Sequence, residues 1–301
     1  MTIHSYGKVW AFGHREASQV VGKLCRIEEK VDGSQFSAMR IGDSVVFRSK
    51  SVALIDSAIP DLFVPSVEHI RSVRHLMREG AVYRMEALKG PRHNTLTYAR
   101  APKGNCVLFD VDMGREDYMA HDAIVSEAEK LGIDSVPLLN VCVLTSPEDL
   151  RTHLDRESFL GGALVEGVVV KPVENVYTPD GKRIAAKLVS EAFKETHSKE
   201  WIPDKAQKSE IERRIADAVG TPARFAKALQ RLREAGTATN TEKDIGPLIR
   251  EVAKDLDEEC RSVIEEMLYD EYRKTITRLV TSRVPWWYKE RLVSGAFGGN
   301  K

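Results

Sequence analysis

Short apolar runs, alternating or continuous and broken by Gly, Asp and Pro, fill the first two-thirds of the chain and predict strands there. Val9, Trp10 and Phe12 mark a short strand and turn. Residues 24–29 form a strand, and 36–40 and 44–47 pair around a Gly42-Asp43 turn. Further strands follow over 81–88, 105–113, 138–144, 165–171 and 184–189. The stretch 138–144 reads as buried, and a Pro179-Asp180-Gly181 turn joins the last two strands. Residues 17–21 are too few to assign to helix or strand. Helical spacing appears twice among the strands. Val67, Ile70, Val73, Leu76 and Met77 share one face of a helix over 67–79, stopped by Gly80, and 119–131 is amphipathic and ends at Gly132. Ser146-Pro147-Glu148-Asp149 opens another helix with a cap, a proline in the first turn and acids at the positive end of the dipole.

After about Phe193 the strand signals fade and helical periodicity takes over. A helix over 209–219 ends at Gly220, Thr221-Pro222 caps the next as far as Gly236, and Thr241 caps another through Val252 and Leu256. Residues 259–279 carry Ile264, Met267, Leu268, Tyr272, Ile276 and Leu279 along one face. Pro285-Trp286-Trp287-Tyr288 begins a short aromatic element, and 295–301 reads as a tail. The pattern predicts an α+β domain over 1–195 and an all-helical domain over 196–301.

Composition narrows the class. A chain of 301 residues allows one large or two modest domains, and 42% hydrophobic with 30% charged residues is ordinary for a soluble globular protein. No apolar run approaches the ~20 residues of a membrane span. The first eight residues lack the apolar core of a secretory signal. Cys25, Cys106, Cys142 and Cys260 are scattered with no Cys-x-x-Cys pair, which argues against zinc or a disulfide framework and for a reducing, cytoplasmic setting. Lys+Arg and Asp+Glu both number 45, so nonspecific coating of nucleic acid is disfavoured, whereas a local basic groove is not.

The candidate chemistry begins at Glu28-Glu29-Lys30-Val31-Asp32-Gly33-Ser34-Gln35-Phe36. A lysine deprived of its proton by desolvation or neighbouring charge becomes a nucleophile, and glycine admits the backbone close to a phosphate. Two readings stand: Lys30 attacks the α-phosphate of a nucleotide, or the stretch is a hairpin with a polar Asp-Gly turn and an exposed lysine. Glu86 lies on a strand and is either solvent-facing or functional. The loop Gly90-Pro91-Arg92-His93-Asn94 borders a substrate or is simply solvated, and His93 is a catalytic group or a solvated one. Phe109-Asp110 closes an apolar strand. In Glu166-Gly167-Val168-Val169-Val170-Lys171, an acid at the mouth of a buried valine strand needs a partner or a task.

Lys30-Val31-Asp32-Gly33 resembles motif I of the covalent nucleotidyltransferases: ATP-dependent DNA ligases, RNA ligases and mRNA capping enzymes. Four further stretches resemble that superfamily's motifs in order: Glu86, Phe109, Glu166 to Lys171, and Lys187 in Ile184-Ala185-Ala186-Lys187-Leu188-Val189. With helices after the last motif, the chain is most similar to the RNA ligase 2 type. The resemblance implies a nucleotidyltransferase fold of ATP-grasp-like antiparallel sheets with flanking helices. It implies that Lys30 accepts AMP, Lys187 binds the α-phosphate, Glu86 contacts the ribose, and Phe109 stacks on adenine. Glu29, Val31 and Gln35 border the nucleotide, and Arg48 or Lys50 supplies the base of motif Ia. Lys171 either touches phosphate or does not. Glu166, Glu86 and Asp32 organise Mg²⁺ or Mn²⁺ through water. Relatives often carry Lys-x-Lys where this chain has Lys187 and Val189, so Lys182, Arg183 or a residue of the helical domain takes the second place. The implied activity is ATP-dependent joining of 3′-hydroxyl and 5′-phosphate RNA ends in RNA repair, by a monomer, away from membranes, in the cytoplasm or in a host's cytoplasm if phage-encoded. Lys227, Arg231 and Arg233 grip RNA or form a solvated helix face. The alternatives are a DNA ligase or other covalent nucleotidyltransferase, and an RNA-binding module that has lost its chemistry.

Overall fold

The computed structural model describes residues 2–114, 116–190 and 211–293. Its strands are β1 (Val9–Ala11), β2 (Leu24–Lys30), β3 (Ser34–Ile41), β4 (Ser44–Ser49), β5 (Ala53–Leu54), β6 (Val82–Ala87), β7 (Cys106–Asp112), β8 (Asp134–Ser135), β9 (Leu138–Val143), β10 (Gly167–Pro172) and β11 (Ala185–Val189). Its α-helices are α1 (Val64–Val73), α2 (His121–Leu131), α3 (Glu148–Arg151), α4 (Ile211–Val219), α5 (Pro222–Glu234), α6 (Ile245–Asp255), α7 (Arg261–Thr281) and α8 (Val284–Val293). The described residues fall into two compact units, one within Met1–Lys194 and Phe225–Glu251, the other within Glu195–Arg224 and Val252–Lys301.

The first unit holds two sheets, ordered β1-β11-β10-β2-β9 and β5-β4-β3-β6-β7-β8. Pairing is antiparallel except at β1·β11 and β7·β8. This is the α+β architecture expected. The hairpin reading of Lys30–Gly33 is corrected: β2 and β3 do not pair, and the Val31-Asp32-Gly33 turn carries the chain from one sheet to the other. Alternation along the strands sorts the side chains by face. Ile27, Val168, Val170 and Ala186 enter one core behind the first sheet, and Phe36, Ala38, Phe47, Tyr83, Met85 and Leu108 enter another behind the second. The opposite faces turn toward each other. Lys30, Gly167 and Val189 share a row on the first sheet, as do Val169 and Lys187. Gln35 and Glu86 sit opposite each other on the second.

Four expectations change or are decided. The strand at 138–144 is not buried: among the described residues β9 is an edge strand with only β2 beside it, and Leu138, Val141 and Val143 are exposed. The helix expected over 67–79 begins earlier, with Pro65 in its first turn, and gives way to a 3₁₀ turn at Arg74–Leu76. Residues 16–20 form a 3₁₀ turn, neither helix nor strand. At α3 the capping runs backwards: Asp149 accepts the amides of Thr145 and Ser146 at 2.8 and 2.9 Å. Thr221 and Thr241 do cap, accepting the amides of Arg224 and Lys243, each at 3.3 Å. The expected helix start at Ser209 and the tail 295–301 lie outside the described residues. No helix among those described is long and apolar enough to cross a membrane.

Candidate active site

Lys30 ends β2, where the chain leaves the first sheet, and its Nζ lies 2.5 Å from Glu166 Oε2. Glu166 immediately precedes β10, and its carbonyl accepts the Ser190 amide at 2.9 Å. Burial pulls the Lys30 ammonium down, but Glu166, Glu86 and Asp32 together outweigh that and hold it above its ordinary value. So Lys30 is protonated in this state, and attack requires that proton to leave. Burial raises Glu166 despite the pull of Lys30, with Lys187 also within electrostatic reach. Burial, with Glu234 and Glu166 adding to it, pushes Glu86 up to about 8 although Lys30 and Lys50 oppose the shift. The structure thus brings Asp32, Glu86 and Glu166 within electrostatic reach of Lys30, and Lys187 within reach of Glu166. Among the described residues the acids and histidine whose ligand atoms lie within 4.8 Å of one another are His4, Asp112 and Glu116, so Glu86, Glu166 and Asp32 would reach a hard divalent cation through its waters.

Two glycines permit this closeness. A Cβ on Gly33 would stand 3.0 Å from the Ala87 carbonyl and 3.1 Å from Glu86 Cβ. One on Gly167 would stand 2.4 Å from the Leu188 carbonyl, so glycine alone fits beside β11.

The remaining expected residues divide. Asp32 clamps the loop after β6: its Oδ2 accepts the Thr95 and Leu96 amides at 2.8 and 2.7 Å, and its own amide donates to Tyr98 Oη at 2.9 Å. Glu29 is buried, accepting from Ser158 Oγ at 2.5 Å and the Phe159 amide at 3.2 Å. Val31 packs in a small cluster with Leu88, Tyr98, Val107 and Leu160, against which half-buried Phe109 rests. Gln35 pairs with Glu86 across β3 and β6. Arg48 lies opposite Ser37 on the same face and donates to the Ser51 carbonyl at 3.1 Å. Lys50 is within electrostatic reach of Glu86 and Glu234.

Lys171 is corrected. Its ammonium donates to the Phe109 carbonyl at 2.9 Å and pairs with Glu28 at 2.6 Å and Asp110 at 3.1 Å, in a site 1% exposed. Three donors meet three acceptors, and none is left for a phosphate. Arg183, offered for the second place of the Lys-x-Lys pair, is likewise spent on Asp110 and the Tyr6 hydroxyl. Arg26 joins the same network at 2.9 Å from Glu28 and 3.3 Å from Asp110. Burial alone would raise both acids, but Arg183 and Lys171 beside Asp110, and Lys171, His121 and Arg26 beside Glu28, hold them below the ordinary range.

Residues missed in the sequence come from α5. Gln230 Nε2 donates to the Gly33 carbonyl at 3.0 Å and to Glu234 Oε1 at 2.8 Å. Glu234 is buried, raised by that burial although Ser34 and Gln230 donate to it. Their i,i+4 spacing is visible in the sequence, but what that helix face meets is not. His93 is not a solvated loop residue. The Lys89 amide donates to its Nδ1 at 3.0 Å, which leaves the proton on Nε2, 2.9 Å from Ser34 Oγ.

Residues 24–189, more than half of the chain, match the family described as RNA ligase. No curated protein matches. Among solved structures, the chain is similar to a Naegleria gruberi RNA ligase with PPi, at 18% identity and a TM-score of 0.46, covering 64% of this chain and 57% of that one. Two variants of that ligase give similar values. One with ATP and Mn shows 17% identity, a TM-score of 0.48 and coverage of 64% and 57%. One with AMP and Mn shows 18% identity, a TM-score of 0.46 and coverage of 64% and 58%. The chain therefore spans less than two thirds of the length of these proteins.

Proposed function

The chain belongs to the RNA ligase family, and from that premise we propose that it is an ATP-dependent RNA ligase of the RNA ligase 2 type. It joins a 3′-hydroxyl to a 5′-phosphate through an AMP-bearing lysine. The observation that carries this reading is the Lys30 amine, 2.5 Å from Glu166 and within electrostatic reach of Glu86, at the end of β2 where the chain leaves the first sheet for the second.

In the first step the Lys30 lone pair forms a bond to the α-phosphorus of ATP as the bond to pyrophosphate breaks, and Lys187 offsets the charge gathering on the phosphoryl oxygens. Glu166 faces the amine and receives the proton the ammonium sheds before attack, and the second proton, lost as the P–N bond forms, passes to water. A divalent cation, Mg²⁺ or Mn²⁺, held through water by Glu166, Glu86 and Asp32, would supply positive charge beside the amine and the phosphoryl group. Asp32 keeps Oδ1 for this, since its Oδ2 is committed to the loop. In the second step a 5′-phosphate oxygen of RNA attacks the same phosphorus and the P–N bond breaks, leaving a 5′-5′ linkage and returning a proton to Lys30. In the third, a 3′-hydroxyl attacks the RNA phosphorus, loses its proton to water, and AMP departs. Phe109, with Glu29, Val31 and Gln35, borders the base and sugar, and Arg48 or Lys50 the phosphates. The unit built from residues within 1–194 and 225–251 holds this chemistry. The protein works as a monomer in the cytoplasm, with RNA ends as its substrate.

Labelled ATP with Mg²⁺ should leave an acid-labile label on the protein, and Lys30→Ala should remove it. A label that persists in Lys30→Ala overturns the assignment of the nucleophile. Sealing of nicks with RNA and with DNA 3′ ends compares the two ligase classes, because only RNA offers a 2′-hydroxyl. Sealing confined to DNA 3′ ends rejects the RNA reading. A wild-type chain that takes no label at all is the binding module that Val189 would suggest.

A further inference from the structure

Beside the Val31-Asp32-Gly33 turn lies a cavity of about 150 Å³ whose lining includes Ser34, Lys89, Arg92, Asn94, Gln230 and Arg233. A second, of about 390 Å³, shares Lys89 and Arg233 with it and runs on past Pro60 to Asn240. On the reading that the chain seals RNA, we infer that Lys89, Arg92 and Arg233 line a groove that binds the phosphodiester backbone of the RNA beside its reacting end.

Three observations carry this. First, the charge is uncompensated. Lys89, Arg92 and Arg233 are exposed, and none has a carboxylate partner among the described residues, in a chain whose charges balance overall. Among the described residues the Arg233 guanidinium donates only to Asn240 Oδ1, at 3.3 Å. Against them stands one acid in the lining of the second cavity, Asp61.

Second, the cations are held on a braced frame, so a bound strand orders little. The Lys89 amide donates to His93 Nδ1 at 3.0 Å and its carbonyl accepts from Asn105 Nδ2 at 3.1 Å. The backbone of Arg92 bridges to Thr97, and Asn94 Nδ2 donates to the Gly33 carbonyl at 3.0 Å. Third, the groove starts at the turn that follows Lys30, and two adjoining cavities sharing their cations form a track rather than a single cradle. A track suits anions repeated along a strand.

The pyrophosphate end of ATP has the same chemistry, and the test separates the two. The variant is Lys89→Ala/Arg92→Ala/Arg233→Ala. A fluorescent nicked RNA duplex with a 5′-phosphate is titrated at several salt concentrations, and ATP labelling is measured apart. Each phosphate contact contributes roughly 0.7–0.9 to the slope of log affinity against log salt. Loss of three contacts should lower that slope by about 2 and weaken binding roughly a hundredfold near 0.1 M salt. ATP labelling should keep its wild-type rate. The charge-preserving variant Lys89→Arg/Arg92→Lys/Arg233→Lys should keep most of the affinity, which a merely misfolded loop would not. Wild-type affinity and slope in the alanine variant overturn the groove. Slower ATP labelling with RNA affinity intact overturns it too, in favour of the pyrophosphate. The binding measurement needs no catalysis. A wild-type chain that takes no label fails as a ligase, whereas unchanged RNA affinity in the variant fails the groove alone.

Discussion

Lys171→Met distinguishes a buried structural cation from a phosphate ligand. The thioether keeps most of the stem volume and deletes the charge. In the structure that charge faces Glu28 at 2.6 Å, Asp110 at 3.1 Å and the Phe109 carbonyl at 2.9 Å, with 1% of the residue exposed. Breaking a buried ion pair by removing one partner costs about 3–5 kcal/mol. Arg26 remains with Glu28, and Arg183 with Asp110, so the lower end, about 3 kcal/mol, is expected. That is a large share of the roughly 5–15 kcal/mol that holds a domain together. Urea unfolding read by circular dichroism should show the midpoint falling by about 1–3 M at a slope of about 1–3 kcal/mol/M. The same substitution in a Glu28→Gln background should cost less, because the orphaned acid is gone. The sign with pH is fixed. Glu28 and Asp110 are held below their unfolded values, so the stability they contribute is complete above about pH 4 and lost as pH falls through their folded values. The gap between wild type and Lys171→Met should therefore narrow in acid. A midpoint equal to wild type, together with loss of ATP labelling, would refute this and return Lys171 to the nucleotide.

Phe109→Ala should raise the ATP concentration needed for labelling by roughly 5- to 150-fold, from about 1–3 kcal/mol of stacking; an unchanged requirement would assign the ring to the core. Glu86 is pushed up to about 8, so its neutral form contributes stability that is complete below about pH 4.3 and lost as pH rises through about 8. Metal-free wild type should thus lose Tm between about pH 5 and 8 more steeply than Glu86→Gln, and parallel curves would count against that charge balance. Gly33→Ala forces a Cβ to 3.0 Å from the Ala87 carbonyl, so it should cost about 1–3 kcal/mol and slow labelling by shifting Glu86. Unaltered stability and rate would show that the two sheets have slack at this turn.

The order and type of most elements, and the caps at Thr221 and Thr241, could be read from residue order because they are local: periods of two and 3.6, glycine stops and hydroxyl caps need no distant partner. Lys30 and Glu166 were also marked by local signs, a lysine before an Asp-Gly turn and an acid at the mouth of a valine strand, whereas Glu86 and Lys187 came from the resemblance to the covalent nucleotidyltransferase motifs. What only the tertiary structure decided is which of them share a space. A period-two pattern gives a strand two faces without saying what covers either, so 138–144 read as buried although no described strand pairs with the far edge of β9. Lys171 stands beside the same cleft strand as Lys30, yet it meets Glu28 and Asp110 because β7 of the other sheet lies against it. Gln230 and Glu234 reach the turn after Lys30 from about 200 residues along the chain, and no local rule reports a contact of that span.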